Sequence, residues 1–194
     1  MLNLRKCGHK DLERYYSLLE MDFAKEEIIS KLSLHRALLN GSAELLVVYD
    51  EESSLEVAYA LVLTKNLYGY VLLKYMAVLP WYRGKGVGIA AMRLINKRYA
   101  DRQGIIAELT SFEDEDGRMI KGLRKFFARF GYVVVDSDYR IGGAPVELMV
   151  KPIKGTFEIE PVEHRIIRDF YTRILNPFAM DKMIDIRPVR KPEE

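Results

Sequence analysis

Cysteine is nearly absent from this sequence: Cys7 is the only one in 194 residues. An internal disulfide is therefore excluded, as is any metal centre built on paired cysteines. Histidine is almost as scarce, and His9, His35 and His164 share no ligand spacing, so no metal is expected. Neither sign of charge dominates, with 30 Lys and Arg against 28 Asp and Glu for a formal net charge of +2. No dense basic block stands out before the tail, which argues against nucleic acid as a partner. Long apolar runs are missing too. Nothing apolar follows Arg5, Lys6 and Lys10 in the manner of a secretory signal, and no run approaches the ~20 residues that cross a bilayer. The cytoplasm is the expected compartment, with no membrane contact. Repeats and low-complexity tracts are also lacking.

What remains is the composition of a globular protein, 49% hydrophobic and 30% charged. The length suits one main domain with a sizeable core and room for an appended segment. The richest stretch runs from Tyr70 to Thr110. An apolar, β-leaning run, Tyr70 to Val78, meets Pro80; glycine then falls at 84, 86 and 88, and a helix-like run from Ile89 to Tyr99 follows. That order spells strand, tight loop, helix. Gly84, Gly86 and Gly88 permit backbone angles closed to other residues, so successive N–H groups can turn inward around an anion. The helix after the loop adds free donors and the positive end of its dipole. Arg83 and Lys85 bracket the loop with fixed positive charge, and a pyrophosphate fits that arrangement.

A Walker loop would need Lys-Ser or Lys-Thr after its last glycine, whereas Gly88 is followed by Ile89 and Ala90. A nicotinamide-dinucleotide site is formally matched by Gly86-x-Gly88-x-x-Ala91, with Glu108 about twenty residues further on. Its turn should begin directly at the strand end of a parallel βαβ unit, yet a Pro-Trp-Tyr-Arg spacer intervenes here. The text Val78-x-Pro80-x-x-Arg83-Gly84-x-Gly86-x-Gly88 resembles the acetyl-CoA loop of the GNAT N-acyltransferase superfamily, whose core pattern is Arg/Gln-x-x-Gly-x-Gly/Ala.

That resemblance implies a mixed α+β fold: a mostly antiparallel twisted sheet of about seven strands, with strands four and five parallel and splayed, flanked by helices. The rest of the chain accommodates it. Leu2 and Leu4 make a weak first strand. Asp11 to Met21 and Lys25 to Leu39 have helical apolar spacing, the second closed by Asn40-Gly41. Glu26 and Glu27 are read as solvated first-turn carboxylates, although helices on this side of a GNAT fold line the acceptor site and would let them face a cation. Glu44 to Tyr49, Leu55 to Thr64 and Tyr70 to Val78 have short connections and form an antiparallel meander. Ile105 to Thr110 is the fifth strand, a helix runs through Ile120, Leu123, Phe127 and Phe130, and Tyr132 to Val135 with Val146 to Val150 form a last hairpin joined by Asp136 to Pro145. The acetyltransferase domain is taken as 1–154. Residues 155–194 are an extension, with a helix over Pro161 to Leu175 that packs on the core or on a second subunit, in which case a homodimer results, and a tail from Asn176 that frays.

The resemblance also distributes roles. Acetyl-CoA is the implied co-substrate, with an amine as acceptor. Its pyrophosphate would sit on Arg83, Gly84, Lys85, Gly86, Val87 and Gly88, while the fourth strand at Met76, Ala77 and Val78 lies along the cofactor. An N–H of Ala77 or Val78 would donate to the thioester carbonyl. Glu108, on an otherwise apolar strand, and Glu113 are candidate proton acceptors. Phe127 stands where many relatives place the tyrosine that protonates the leaving thiolate, and Lys74 stands where near relatives often have Glu. A phenyl ring donates no proton, so Tyr75 or Tyr139 would have to substitute, or water would, since a thiol pKa near 8.5 makes the thiolate a fair leaving group. These two departures leave room for a CoA-binding module with little turnover.

Overall fold

A computed structural model describes residues 1–110, 117–135, 138–155 and 162–187. Nine strands form the sheet in the described residues, in the order β1 (Leu2–Cys7), β2 (Ala43–Asp50), β3 (Glu56–Leu63), β4 (Tyr70–Val78), β5 (Gly104–Thr110), β8 (Ala144–Pro152), β7 (Asp138–Ile141) and β9 (Ile184–Arg187), with β6 (Val133–Val135) also paired to β8. β1 to β4 pair in sequence order as antiparallel neighbours, with short turns from β2 to β3 and from β3 to β4, whereas β4 and β5 are parallel and are bridged by helix α3 (Val87–Arg98).

Side chains alternate between two cores. One face of the sheet, carrying Leu45, Val47, Leu61, Leu72 and Ile106, packs on helices α1 (Leu12–Asp22), α2 (Lys31–Leu39), α5 (Val162–Thr172) and α6 (Pro177–Met183). The other, carrying Leu46, Val62, Val71, Leu73, Ile105 and Ala107, packs on α3 through Met92 and Ile95 and on α4 (Arg118–Ala128) through Phe127. Both faces are covered along β3, where every residue but Glu56 is buried, and along the Val71–Tyr75 part of β4, which is why these strands read as nearly continuous apolar text.

Several expectations need correction. The helix expected over Lys25 to Leu39 is broken: a short 3-10 turn covers Lys25–Glu27, and α2 starts only at Lys31, capped by the Ser30 hydroxyl accepting from the Ser33 amide. Helical spacing persists across Ile28 and Ile29, but Ser30 competes for the backbone and stops the helix there. The Asp136 to Pro145 connection, expected as a turn, contains strand β7, which together with β9 gives the sheet two strands more than the expected seven. The tail from Asn176, expected to fray, forms α6 and β9 as far as Arg187. Asn176 caps α6, and β9 pairs with β7. Finally, α5 docks within the same chain, burying Ile166, Ile167, Phe170 and Tyr171.

Candidate active site

The parallel pairing of β4 and β5 runs only from Tyr70 with Gly104 to Leu73 with Ala107, although both strands continue. Its cause is local. In the β3/β4 register Leu61 faces Tyr75 while Val62 faces Leu73, so Lys74 is the extra residue of a β-bulge. A bulge bends its strand and sets two consecutive side chains on one face. Lys74 and Tyr75 both point to the α1/α2/α5 side, and β4 swings away from β5 beyond them.

The gap so opened is a cleft of about 650 Å³, bounded by Met76, Ala77 and Val78 on β4, Glu108, Leu109 and Thr110 on β5, the Asp22–Glu27 segment, and Met119 and Leu123 of α4. Strand register decides which amides face it. The Leu79 amide donates to the Val57 carbonyl, so Ala58 and Val78 form a non-hydrogen-bonded pair and Val78 turns its N–H and C=O into the gap. Met76 does likewise by alternation, while Ala77 faces β3. Of the two amides expected to contact the thioester, geometry therefore favours Val78 over Ala77.

At the mouth of the cleft lies the glycine loop. Gly84 (φ 73°) and Gly86 (φ 78°) are left-handed, and Gly86 caps α3 by accepting from the Ile89 and Ala90 amides. Among the described residues, the amides of 84 to 88 donate to no protein acceptor. Five consecutive free donors at a helix N-terminus form an anion nest. No Cβ would collide at Gly84 or Gly86, so it is their φ that calls for glycine. Lys85 sits over the Tyr82 ring at 5.8 Å. The Arg83 guanidinium donates instead to the Val78 carbonyl (2.9 Å) and to Asp22 (2.7 Å).

The floor of the cleft holds Glu108, only 1% exposed in its side chain. Its carboxylate accepts from the Lys74 ammonium (2.8 Å), the Tyr139 hydroxyl (2.9 Å) and the Tyr171 hydroxyl (2.9 and 2.8 Å). The Lys74 ammonium also sits over the Tyr75 and Tyr171 rings at 5.2 and 5.6 Å. Burial, reinforced by the Glu108 charge, holds the Tyr139 and Tyr171 phenols well above their ordinary pKa. Both Glu108 oxygens are thus engaged by donors of the protein itself. Tyr139 is a buried strand residue, not a turn tyrosine at the rim, and it does meet Glu108. Tyr171, the fourth member, lies beyond the reach of the GNAT resemblance and was not foreseen; its only sequence signal was the apolar spacing of its helix.

Tyr75 is fully buried and committed elsewhere: its hydroxyl donates to the Glu27 carbonyl (2.8 Å) and accepts from the Ile29 amide (2.9 Å). It pins the break between the 3-10 turn and α2. Phe127 lies in the core against Tyr132 and Phe126 rather than on the cleft wall, while Phe126 approaches Gly88. Glu113 falls outside the described residues.

One carboxylate was undervalued. Glu27, read as a solvated first-turn residue, is 7% exposed and lines the cleft. Its oxygens accept from the Ala24 amide (3.1 Å) and the Thr110 hydroxyl (2.6 Å), and among the described residues no cation pairs with it. Only the break at Ile28 turns it inward. Glu26 remains exposed.

Residues 41–134 match the family model of the acetyltransferase (GNAT) domain. The chain carries a GNAT acetyltransferase domain. A GNAT-family protein from Bacteroides thetaiotaomicron superimposes with a TM-score of 0.69 and 18% identity, covering 88% of this chain and 96% of its own. NAA60 from Arabidopsis thaliana, in complex with acetyl-CoA, gives 0.60 and 14% over 80% of this chain and all of its own. The spermidine N-acetyltransferase of Vibrio cholerae, a dodecamer, gives 0.60 and 13% over 78% and 94%. At these identities the likeness establishes the fold and carries no acceptor with it. No protein of curated function matches the sequence. Among the described residues no helix is long and apolar enough to cross a membrane.

Proposed function

We propose that the protein is an acetyl-CoA-dependent N-acetyltransferase that moves the acetyl group to an amine by direct attack in a ternary complex. The observation that carries the reading is the row of unengaged amides from Gly84 to Gly88 opening onto the gap between β4 and β5. On this reading the amides hold the cofactor pyrophosphate, and the thioester lies in the gap with its carbonyl oxygen at the Val78 N–H, which stabilises the charge that develops there. Glu27 takes the proton of the attacking ammonium, since Glu108 is engaged by Lys74 and two phenols while Glu27 has no cationic partner among the described residues. The amine lone pair forms the new C–N bond, the C–S bond breaks, and the proton that the acylated nitrogen then sheds passes through water to the departing CoA thiolate. Glu108 with Lys74, Tyr139 and Tyr171 then serves as a rigid floor rather than as an acid–base pair.

The test is thiol release from acetyl-CoA across a panel of alkylamines, polyamines, amino-acid amides and short peptides. Turnover on at least one amine, lowered at least tenfold in Glu27→Gln with CoA affinity kept, supports the assignment. A second reading, a CoA-binding module with little turnover, is favoured by Phe127, which holds the sequence position of the thiolate acid but is an apolar ring turned into the core away from the cleft. Tight CoA binding without thiol release above background on any acceptor would select it.

A further inference from the structure

Arg83 opens the glycine loop, yet its guanidinium is engaged across the cleft mouth. Nη2 meets Asp22 Oδ1 at 2.7 Å and Nε meets the Val78 carbonyl at 2.9 Å. Both partners belong to the cleft wall. The second Asp22 oxygen accepts from the Tyr59 hydroxyl at 2.8 Å. The ion pair is lopsided: the Arg83 side chain is 55% exposed and that of Asp22 only 13%. The cation can therefore swing on its flexible stem through solvent, whereas the carboxylate is fixed on the last turn of α1 and held by Tyr59.

We propose that the Arg83 guanidinium exchanges partners when the cofactor binds, leaving Asp22 and the Val78 carbonyl for the pyrophosphate at the neighbouring amides. This inference rests on the acetyl-CoA reading above. A diphosphate offers a guanidinium paired acceptor oxygens and more than one negative charge, against the single charge of a carboxylate. Departure of Arg83 leaves Asp22 as a poorly hydrated anion whose remaining partner in the described structure is a neutral phenol, and such a group draws in a cation. Cofactor binding thus adds one negative charge to the wall of the cleft, the sign that attracts an ammonium, and reopens the Val78 carbonyl as an acceptor. Asp22 and the pyrophosphate compete for one arginine.

Competition makes an unusual demand: removing a carboxylate from the cleft wall should tighten cofactor binding. Calorimetry with CoA and with pantetheine, which lacks the diphosphate, on the wild type, Asp22→Asn, Arg83→Met and the double variant supplies the test. Asp22→Asn is expected to bind CoA about two- to fivefold more tightly, the scale of a half-exposed ion pair. Arg83→Met should bind CoA more weakly, Asp22→Asn should add nothing in that background, and pantetheine should be indifferent to Asp22→Asn. Thermal melts confirm that each variant is folded. Unchanged or weaker CoA binding by Asp22→Asn, or equal tightening of pantetheine, overturns the exchange while the acetyl-CoA reading stands. Failure of CoA to bind the wild type overturns both.

Discussion

At the scale of single residues, the glycine loop was legible because its requirement is a backbone one. Only glycine takes φ near +75° at positions 84 and 86 without strain, so the residue type states the conformation directly. Gly86→Glu should place bulk and negative charge against the nest and abolish CoA binding by calorimetry; retained affinity would refute the loop assignment. The roles of charged residues were less legible, because a carboxylate looks the same in sequence whether it is spent or available. Glu108, a candidate proton acceptor in the sequence, lines the cleft, and the three donors that engage it come from residues 74, 139 and 171. Lys74→Met should therefore leave a buried, unpaired charge and cost about 3–5 kcal/mol in chemical denaturation. The double change Lys74→Met with Glu108→Gln should recover much of that loss.

Among the elements, β4 was bounded correctly and its bulge was not visible. Apolar residues run through the strand on both faces, so the slip of one residue at Lys74 leaves no gap in the pattern. Helix α5 shows the reverse case: its amphipathic spacing was plain, and its partner was not. Deleting 156–194 should yield an aggregated or largely unfolded product by circular dichroism and gel filtration. It would strip from one core Ile166, Ile167, Phe170, Tyr171, Ile174 and Leu175, each worth ~1.5–3 kcal/mol, against a typical margin of ~5–15 kcal/mol. A polar tie between elements has its own pH signature. On β2, burial tends to raise the Glu44 pKa, but bonds from Tyr99 and Arg98 of the α3 end and from Lys6 outweigh it, so the group is held below its ordinary value. Its contribution is present above the unfolded-state value of about 4.3 and is lost as pH falls through the lower folded value. Acid titration of stability should therefore be shallower in Glu44→Gln than in the wild type.

For the whole molecule, a site assembled from several segments should report ligand binding as global stability. At a CoA concentration of 100 times Kd, the native state gains about 2.7 kcal/mol, and for a chain of this size the melting temperature should rise by about 5–10 °C. Pantetheine, without the diphosphate, should give much less. The family and the glycine loop could be read along the chain, because they depend on local spacing and on φ values particular to glycine. The lining of the cleft could not. Residues 22, 27, 74, 108, 139 and 171 meet only after a bulge has parted two parallel strands, a 3-10 turn has turned Glu27 inward, and a C-terminal helix has come to lie beneath the opening. Which carboxylate stays free and which is neutralised depends on distances between segments remote in sequence, and a one-dimensional pattern does not encode those distances until packing fixes them.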